Sequence, residues 1–267
     1  MPGTDPGGPE RECVMRIAIA GGSGTVCRHV VAAARRRGHE PVVLSRGNGV
    51  DVVQGRGIDA AIAGADAVID VVNATTLSTR RAVAFFETAS RNLLDAEARA
   101  GTPHHVALSI VGIDDIDTSY YAGKLAQERA VRASGVPHTI ARVGQFHEFA
   151  EQIAAQTTIG PVTLAPTTLT RPVAAREVGE HLVRIAEGAP AGRVADLVGP
   201  RDEVLADMIR RMYRHDGIRR AVVQVRFPGA YGRGLASGEL RGDVSRTTAT
   251  TTFEQWLAAD HVRSSHR

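Results

Sequence analysis

Cysteine is scarce in this 267-residue chain, which carries only two, Cys13 and Cys27. They form neither a CxxC pair nor a zinc spacing, so a disulfide framework is excluded and a reducing compartment, the cytoplasm, is expected. Aromatic residues make up 4% of the chain and do not interleave the scattered arginines (Arg35–Arg37, Arg210–Arg211, Arg219–Arg220). With a formal charge of only +3, these arginines read as solvated helix faces, and no nucleic-acid partner is expected. No apolar run approaches the roughly 20 residues of a membrane span, so no membrane partner is expected either. The ten histidines show no HExxH or comparable spacing, and no metal is expected. Asp114, Asp115 and Asp117 lack the length and glycine of a calcium loop; they read as a polar turn capping the next helix. There is no Gly/Ser or Pro linker and no internal repeat. Residues 1–14 are rich in Pro, Gly and acids, and read as a disordered extension rather than a signal peptide.

What is present is the composition of a globular protein with a sizeable core, 43% hydrophobic and 23% charged. Apolar runs alternate with helical patterns. Strands are expected at Arg16–Ala20, Pro41–Ser45, Asp51–Val53 (short), Ala65–Val72, His105–Ile110 and Thr139–Val143. Helices are expected between them at Thr25–Arg37, Gly57–Ala63, Thr79–Ala100 and Tyr120–Ala133. This alternation predicts an α/β protein with a Rossmann-type, doubly wound parallel sheet. Beyond Gly144 the pattern loosens. Helices are expected near His147–Thr157, Arg176–Glu187, Glu203–Arg214 and Phe253–Ala259. Strands are expected near Pro161–Leu164, Val194–Val198 and Ala221–Arg226, and Ser237–Thr252 reads as a loop. The expectation is one domain over 15–267, with 15–143 the dinucleotide-binding core and 144–267 mostly a smaller substrate-binding portion.

The chemistry concentrates at Met15–Arg37, where a strand, the turn GGSGTVC and a helix follow one another. Such a turn places backbone N–H groups at the positive end of a helix, a site suited to a pyrophosphate. The candidate contacts are Gly21, Gly22, Ser23, Gly24, Thr25 and Val26. Cys27 stands where a third glycine would allow close packing, so overpacking is expected and Cys27→Gly should stabilise the fold. After the second strand Arg46 offers a cationic fork to a 2′-phosphate, where an acid would favour a free ribose; NADP(H) is expected over NAD(H). Asp51 and Val52 are candidates for the adenine wall, or a plain surface turn. Asn92 reads more readily as a helix residue bonding to a neighbouring loop than as a ligand.

Tyr120 and Lys124 form Y-x-x-x-K at helical spacing, on one face. A lysine ammonium beside a phenol makes it a usable proton donor or acceptor. Ser109, ending the strand before, is the candidate to orient a carbonyl.

In this order GGSGTVC, LSRG, ADAVIDVVN, ALSIVGID and YYAGKLAQERAV resemble an atypical short-chain dehydrogenase/reductase of the NmrA-like, NAD(P)H-binding group. The likeness covers roughly 16–149 and continues more thinly through ARVGQFHEF and TRPVAAREVGEHLVRIAEG. It implies a Rossmann sheet, pyrophosphate on the Gly21–Val26 turn, NADP read by Arg46, and the cofactor ribose held by Lys124. Tyr120 varies in that family, and Tyr121 is the alternative pocket residue. Asn73 and Ala74 are expected beside the cofactor ribose, with an asparagine that simply closes a turn as the alternative. Gln145, Phe146 and Phe149 are expected to line a substrate cavity, although Phe146 and Phe149 fit a core equally well. His147 reads as a satisfied core or solvent-facing histidine rather than a proton shuttle.

The activity implied is NADPH-dependent reduction of a small carbonyl, quinone or enone. The alternatives are a non-catalytic NADP(H)-sensing regulator and, less favoured by Arg46, an NAD-dependent epimerase or dehydratase. A homodimer through the Thr79–Ala100 helix is compatible with the sequence.

Overall fold

Buried parallel strands need apolar residues on both faces, and the first half of the chain supplies them. Strands β1 (Arg16–Ala20), β2 (Glu40–Leu44), β3 (Ala67–Asp70), β4 (His105–Ile110) and β5 (His138–Val143) alternate with four helices. These are α1 (Thr25–Arg36), α2 (Ile58–Ile62), α3 (Thr79–Ala100) and α4 (Ser119–Ala133). This is a computed structural model, and it describes residues 14–22, 24–242, 246–259 and 261. Ser23 and all but Val14 of the expected extension lie outside the described residues.

The strands pair in parallel in the order β2-β1-β3-β4-β5. Ile17 and Ile19 point into a core shared with Val30 of α1 and Leu182. Their neighbours Ala18 and Ala20 point into the opposite core, with Ile62 and Leu93. Both faces of β1 are therefore covered, as a parallel sheet requires. The chain leaves β1 for β2 on one side and returns to β3 on the other, which opens a crevice at the carboxyl ends of β1 and β3.

Five more helices follow: α5 (Phe149–Thr157), α6 (Ala175–Glu187), α7 (Leu205–His215), α8 (Gly229–Ala236) and α9 (Phe253–Ala259). The second half does more than cover one edge. Asp196–Val198 and Arg246–Thr248 extend the main sheet in parallel beyond β5, and α6 lies in the same core as α1. Helices α5, α7 and α9 share a separate core built on Ala154, Met208, Met212, Phe253 and Trp256. Beside it, Ala221–Val225 and Val162–Pro166 run parallel, and Thr158–Ile159 joins antiparallel.

Three expectations are corrected. Asp51–Val53 is a turn closed by an Asp51–Arg56 bridge, not a strand of the sheet. Ser237–Thr252 is not all loop, since it holds a 3-10 turn at Glu239–Arg241 and the strand Arg246–Thr248. The Asp114 carboxylate does not cap α4; it pairs with Arg142 at 2.5 and 2.7 Å. Helix α4 instead starts where Ser119 N–H donates to Thr79 Oγ1 of α3 at 2.7 Å. Among the described residues no helix is long and apolar enough to cross a membrane.

Candidate active site

The glycine turn lies at the mouth of the β1–β3 crevice. Gly21 has φ +147°, and a Cβ there would stand 2.6 Å from Val71 Cγ2 and 2.8 Å from Val71 O. Only glycine fits, because the chain just past β3 runs directly against the turn at Val71. Gly22 also takes a left-handed conformation, φ +61°. Gly24 begins α1 in extended conformation, its N–H on Gly21 O at 3.3 Å. No side chain caps this helix start and its first turn holds no acid, so amide donors remain for an anion. Thr25 is half-buried; the Val26 side chain is in the core, so only its backbone faces the turn.

Cys27 is a core residue. Its side chain is 2% exposed among Val26, Val30 and the sheet, and burial pushes its thiol up to about 11. The close helix approach is made elsewhere, at Gly179 of α6, where a Cβ would meet the α1 backbone at 2.7 Å. Cys27→Gly therefore removes buried core volume, a cost that opposes the stabilisation expected from relief of packing.

A cavity of 870 Å³ continues from the turn, lined by Gly21, Gly22, Gly24, Ser45, Arg46, Asp51, Val52 and Asn73, with Leu44, Val50 and Phe85 among its apolar walls. Ser45 Oγ accepts from Asn48 N–H at 3.3 Å and Asn48 Nδ2 donates to Val43 O at 3.0 Å, which fixes the loop carrying Arg46. Arg46 is exposed and has no ion-pair partner among the described residues. Asp51 Oδ1 accepts from Val53 N–H and Gln54 N–H, both at 3.0 Å. That oxygen holds the turn, while the Val52 side chain packs against the core beside the cavity. Asn92 of α3 pins this turn, donating from Nδ2 to Val52 O at 2.8 Å and Val53 O at 3.0 Å. Phe85 is a wall that the sequence reading missed; its only signal was an adjacent aromatic pair in a helix.

Tyr120 and Lys124 do not form a pair. Tyr120 Oη donates to Asn73 Oδ1 at 2.8 Å, at the edge of the cavity. Burial raises the Tyr120 phenol above its ordinary range, which keeps it protonated. Lys124, the only lysine in the chain, is 3% exposed. Its Nζ donates to Leu108 O at 2.6 Å and to Gln127 Oε1, and lies 4.9 Å from the Phe86 ring centre. Burial pulls it down to about 8, with Asp70 and Glu128 opposing. Gln127 passes the link on, donating to Asp70 Oδ2 at 2.7 Å. Neither Tyr120 nor Lys124 lines the 870 Å³ cavity.

Ser109 also points away from the crevice. It is opposite Arg142 in the β4–β5 register and lies beside Glu128, its Oγ outside hydrogen-bonding geometry. Arg142 is held by Glu128 at 2.7 and 2.8 Å, a buried ion pair that occupies this face. Gln145 donates to Tyr121 Oη at 3.1 Å, and Tyr121 lies 6.0 Å from Tyr231 of α8. Phe146 and Phe149 pack into different cores, the first with the sheet and the second with α7. They do not form one wall. His147 is a core residue: 1% exposed, its Nε2 is 3.2 Å from Thr251 O, and burial pulls it down to about 4.

The model of a family described as NAD(P)H-binding matches residues 21–187, more than half of the chain and including both the glycine turn and Gly179. The chain belongs to the NAD(P)H-binding family. This bears out the resemblance to the atypical short-chain dehydrogenase/reductases. An isoflavone reductase homolog from Zea mays is 29% identical over 163 residues, half of each protein. The match thus spans about half the length of that curated relative. Among solved structures, NADPH-dependent quinone oxidoreductase QOR2 of Escherichia coli, complexed with NADPH, superposes with TM-score 0.67 at 15% identity, covering 91% of this chain and 98% of that one. The NAD-dependent NDP-hexosamine 5,6-dehydratase TunA gives 0.71 at 16% identity, covering 91% and 95%. At these identities the likeness establishes the fold.

The residues of this NAD(P)H-binding chain fit a dinucleotide. The Gly21 cradle excludes any Cβ, the start of α1 offers unclaimed amides, and Val52 gives an apolar wall beside a cavity of 870 Å³.

Proposed function

We propose that this protein is an NADPH-dependent reductase of a small carbonyl, quinone or enone. The observation that carries the reading is Arg46, a guanidinium without an ion-pair partner among the described residues, on the loop after β2 and at the cavity shared with the glycine turn. A fork of this kind matches a 2′-phosphate in two parallel hydrogen bonds, and Asp51, the acid of that loop, is turned to the Val53 and Gln54 amides and to Arg56. Pyrophosphate would rest on the backbone of Gly21–Val26, Ser23 included, and adenine against Val52 and Phe85. When bound, the reduced nicotinamide supplies a hydride. Tyr120, kept protonated by burial and oriented by Asn73, is the group we assign to donate the proton. Lys124 then acts as a positioning residue that anchors α4 through the Leu108 carbonyl. Ser109 has no role in this reading. The quinone oxidoreductase QOR2 and a triphenylmethane reductase from Citrobacter sp. complexed with NADP(H) share the fold and support this class.

Calorimetric titration tests it. Arg46→Ala should weaken NADPH roughly 10- to 100-fold, the worth of charge-assisted bidentate bonds, and leave NADH within about threefold. Equal losses for both would remove the NADP preference. A panel of carbonyls, quinones and enones with NADPH then reads turnover, and Tyr120→Phe should abolish it while sparing NADPH affinity. The second reading, a non-catalytic NADP(H) sensor, is favoured by one observation: the Tyr120 phenol and Lys124 ammonium are bonded to different partners. Tight NADPH binding with no turnover across the panel would decide for the sensor.

A further inference from the structure

A second group of donor atoms lies outside the dinucleotide cleft, where α7 ends. Asp216 follows the helix with its N–H on Met212 O at 2.9 Å. Gly217 then turns the chain at φ +67°, and Ile218 N–H closes on Tyr213 O at 2.8 Å. The turn presses Asp216 inward, 8% exposed, and leaves His215 at the surface. His261, just beyond α9, is brought to the same place by Trp256. The Trp256 carbonyl accepts the His261 N–H at 3.0 Å, and its ring centre is 5.0 Å from the imidazole.

Three side chains thus converge. His215 Nδ1 is 3.0 Å from Asp216 Oδ1. His261 Nε2 is 3.2 Å from Asp216 Oδ1 and 3.1 Å from Oδ2. One ligand atom from each residue fits within 4.8 Å of the others. Donors bound tetrahedrally to zinc at about 2.0–2.1 Å stand roughly 3.3 Å apart. Two of the three edges already have nearly that length, and rotation of the exposed His215 closes the third. The carbonyl end of α7 adds negative potential, which favours a cation there. Two imidazoles with one carboxylate suit zinc or nickel rather than magnesium or calcium, which take oxygen ligands.

We propose that His215, Asp216 and His261 form a divalent-metal site, selective for zinc-like ions, that fastens His261, just past α9, to α7. The two ring nitrogens that now face the carboxylate give their lone pairs to the ion, and each imidazole proton sits on the outer nitrogen. The exposed side leaves the fourth position to water. The role is structural, since Trp256 and Phe253 share their core with Met212 and Tyr213 of α7 and none of the three ligands lines the dinucleotide cavity.

The test uses tag-free, chelator-treated full-length protein titrated with Zn²⁺ by calorimetry and thermal melting. The expected result is one ion per chain with Kd in the range of roughly 1–10 μM. At a hundredfold excess over Kd, Tm should rise by roughly 5 °C or more. Mg²⁺ should give no shift. His261→Gln and Asp216→Asn should each weaken Zn²⁺ at least about tenfold. Zn²⁺ affinity unchanged from the unaltered protein in either variant would place the ion elsewhere and overturn the proposal, as would a Mg²⁺ shift equal to that of Zn²⁺, or no Zn²⁺ binding below about 100 μM. Should a variant fail to fold, imidazole ¹⁵N NMR of the unaltered protein replaces it. Two histidines should shift on Zn²⁺ addition, and a spectrum without that change would overturn the assignment.

Discussion

Gly179→Ala isolates the contact that seats the dinucleotide-binding helix. Inside an ordinary helix this change stabilises by about 1 kcal/mol, because alanine is the better helix former. Here a Cβ would stand 2.7 Å from His29 C, 2.8 Å from His29 O and 2.9 Å from Val30 N, where ordinary contacts begin at 3.4 Å. All three are backbone atoms of α1 and cannot rotate aside, so α1 and α6 must part by roughly half an ångström. Overpacking of that kind costs roughly 2–3 kcal/mol, leaving a net loss of about 1–2 kcal/mol. For a domain of this size Tm should fall by roughly 2–6 °C. Because α1 starts at the glycine turn, NADPH affinity should drop in the same variant. Differential scanning calorimetry and a coenzyme titration read both effects. An unchanged or higher Tm would refute the argument that the α1–α6 crossing is filled to backbone contact.

Cys27→Gly should lower Tm as well, since it combines a glycine in the first turn of α1 with the loss of a buried side chain, together about 2 kcal/mol; a higher Tm would support the overpacking account. Lys124→Met tests the buried ammonium. Its folded value is depressed to about 8 from 10.5, so the folded state sheds the proton first, and wild-type stability should rise between pH 8 and 10.5 relative to the variant. The gain is about 3 kcal/mol by linkage. Parallel stability curves from urea titrations at pH 7 and pH 10 would show that Lys124 carries no such penalty.

The nucleotide half of the fold was legible because its central strands are buried on both faces and read as apolar runs punctuated by glycine. For the same reason the direction of individual side chains was not. Strand β4 is buried from His105 through Ser109, so nothing in HVALSI tells that Ser109 faces Glu128 and the Arg142 ion pair instead of the crevice. Helical spacing correctly put Tyr120 and Lys124 on α4, but four residues of separation do not fix where a long ammonium ends. The Leu108 carbonyl and Gln127 took it. The later chain hides more. Its strands at Asp196–Val198 and Arg246–Thr248 are three residues each, too short for a pattern. Helix α8 carries three glycines, which argue against a helix. Two of them are demanded by contact, since a Cβ at Gly232 would lie 1.8 Å from Phe227 O and one at Gly234 would lie 2.7 Å from Ile116.

The solitary lysine has a practical consequence. With every other basic side chain an arginine or histidine, the native surface offers no ε-amine to acylating reagents, cross-linkers or lysine-modifying enzymes. The one such group sits in the interior with its proton donors engaged. Isotope-coded acylation of the intact molecule should therefore label the α-amino group alone. A second label would accumulate only as fast as α4 comes away from β4, so this side chain is a built-in clock for opening of the core.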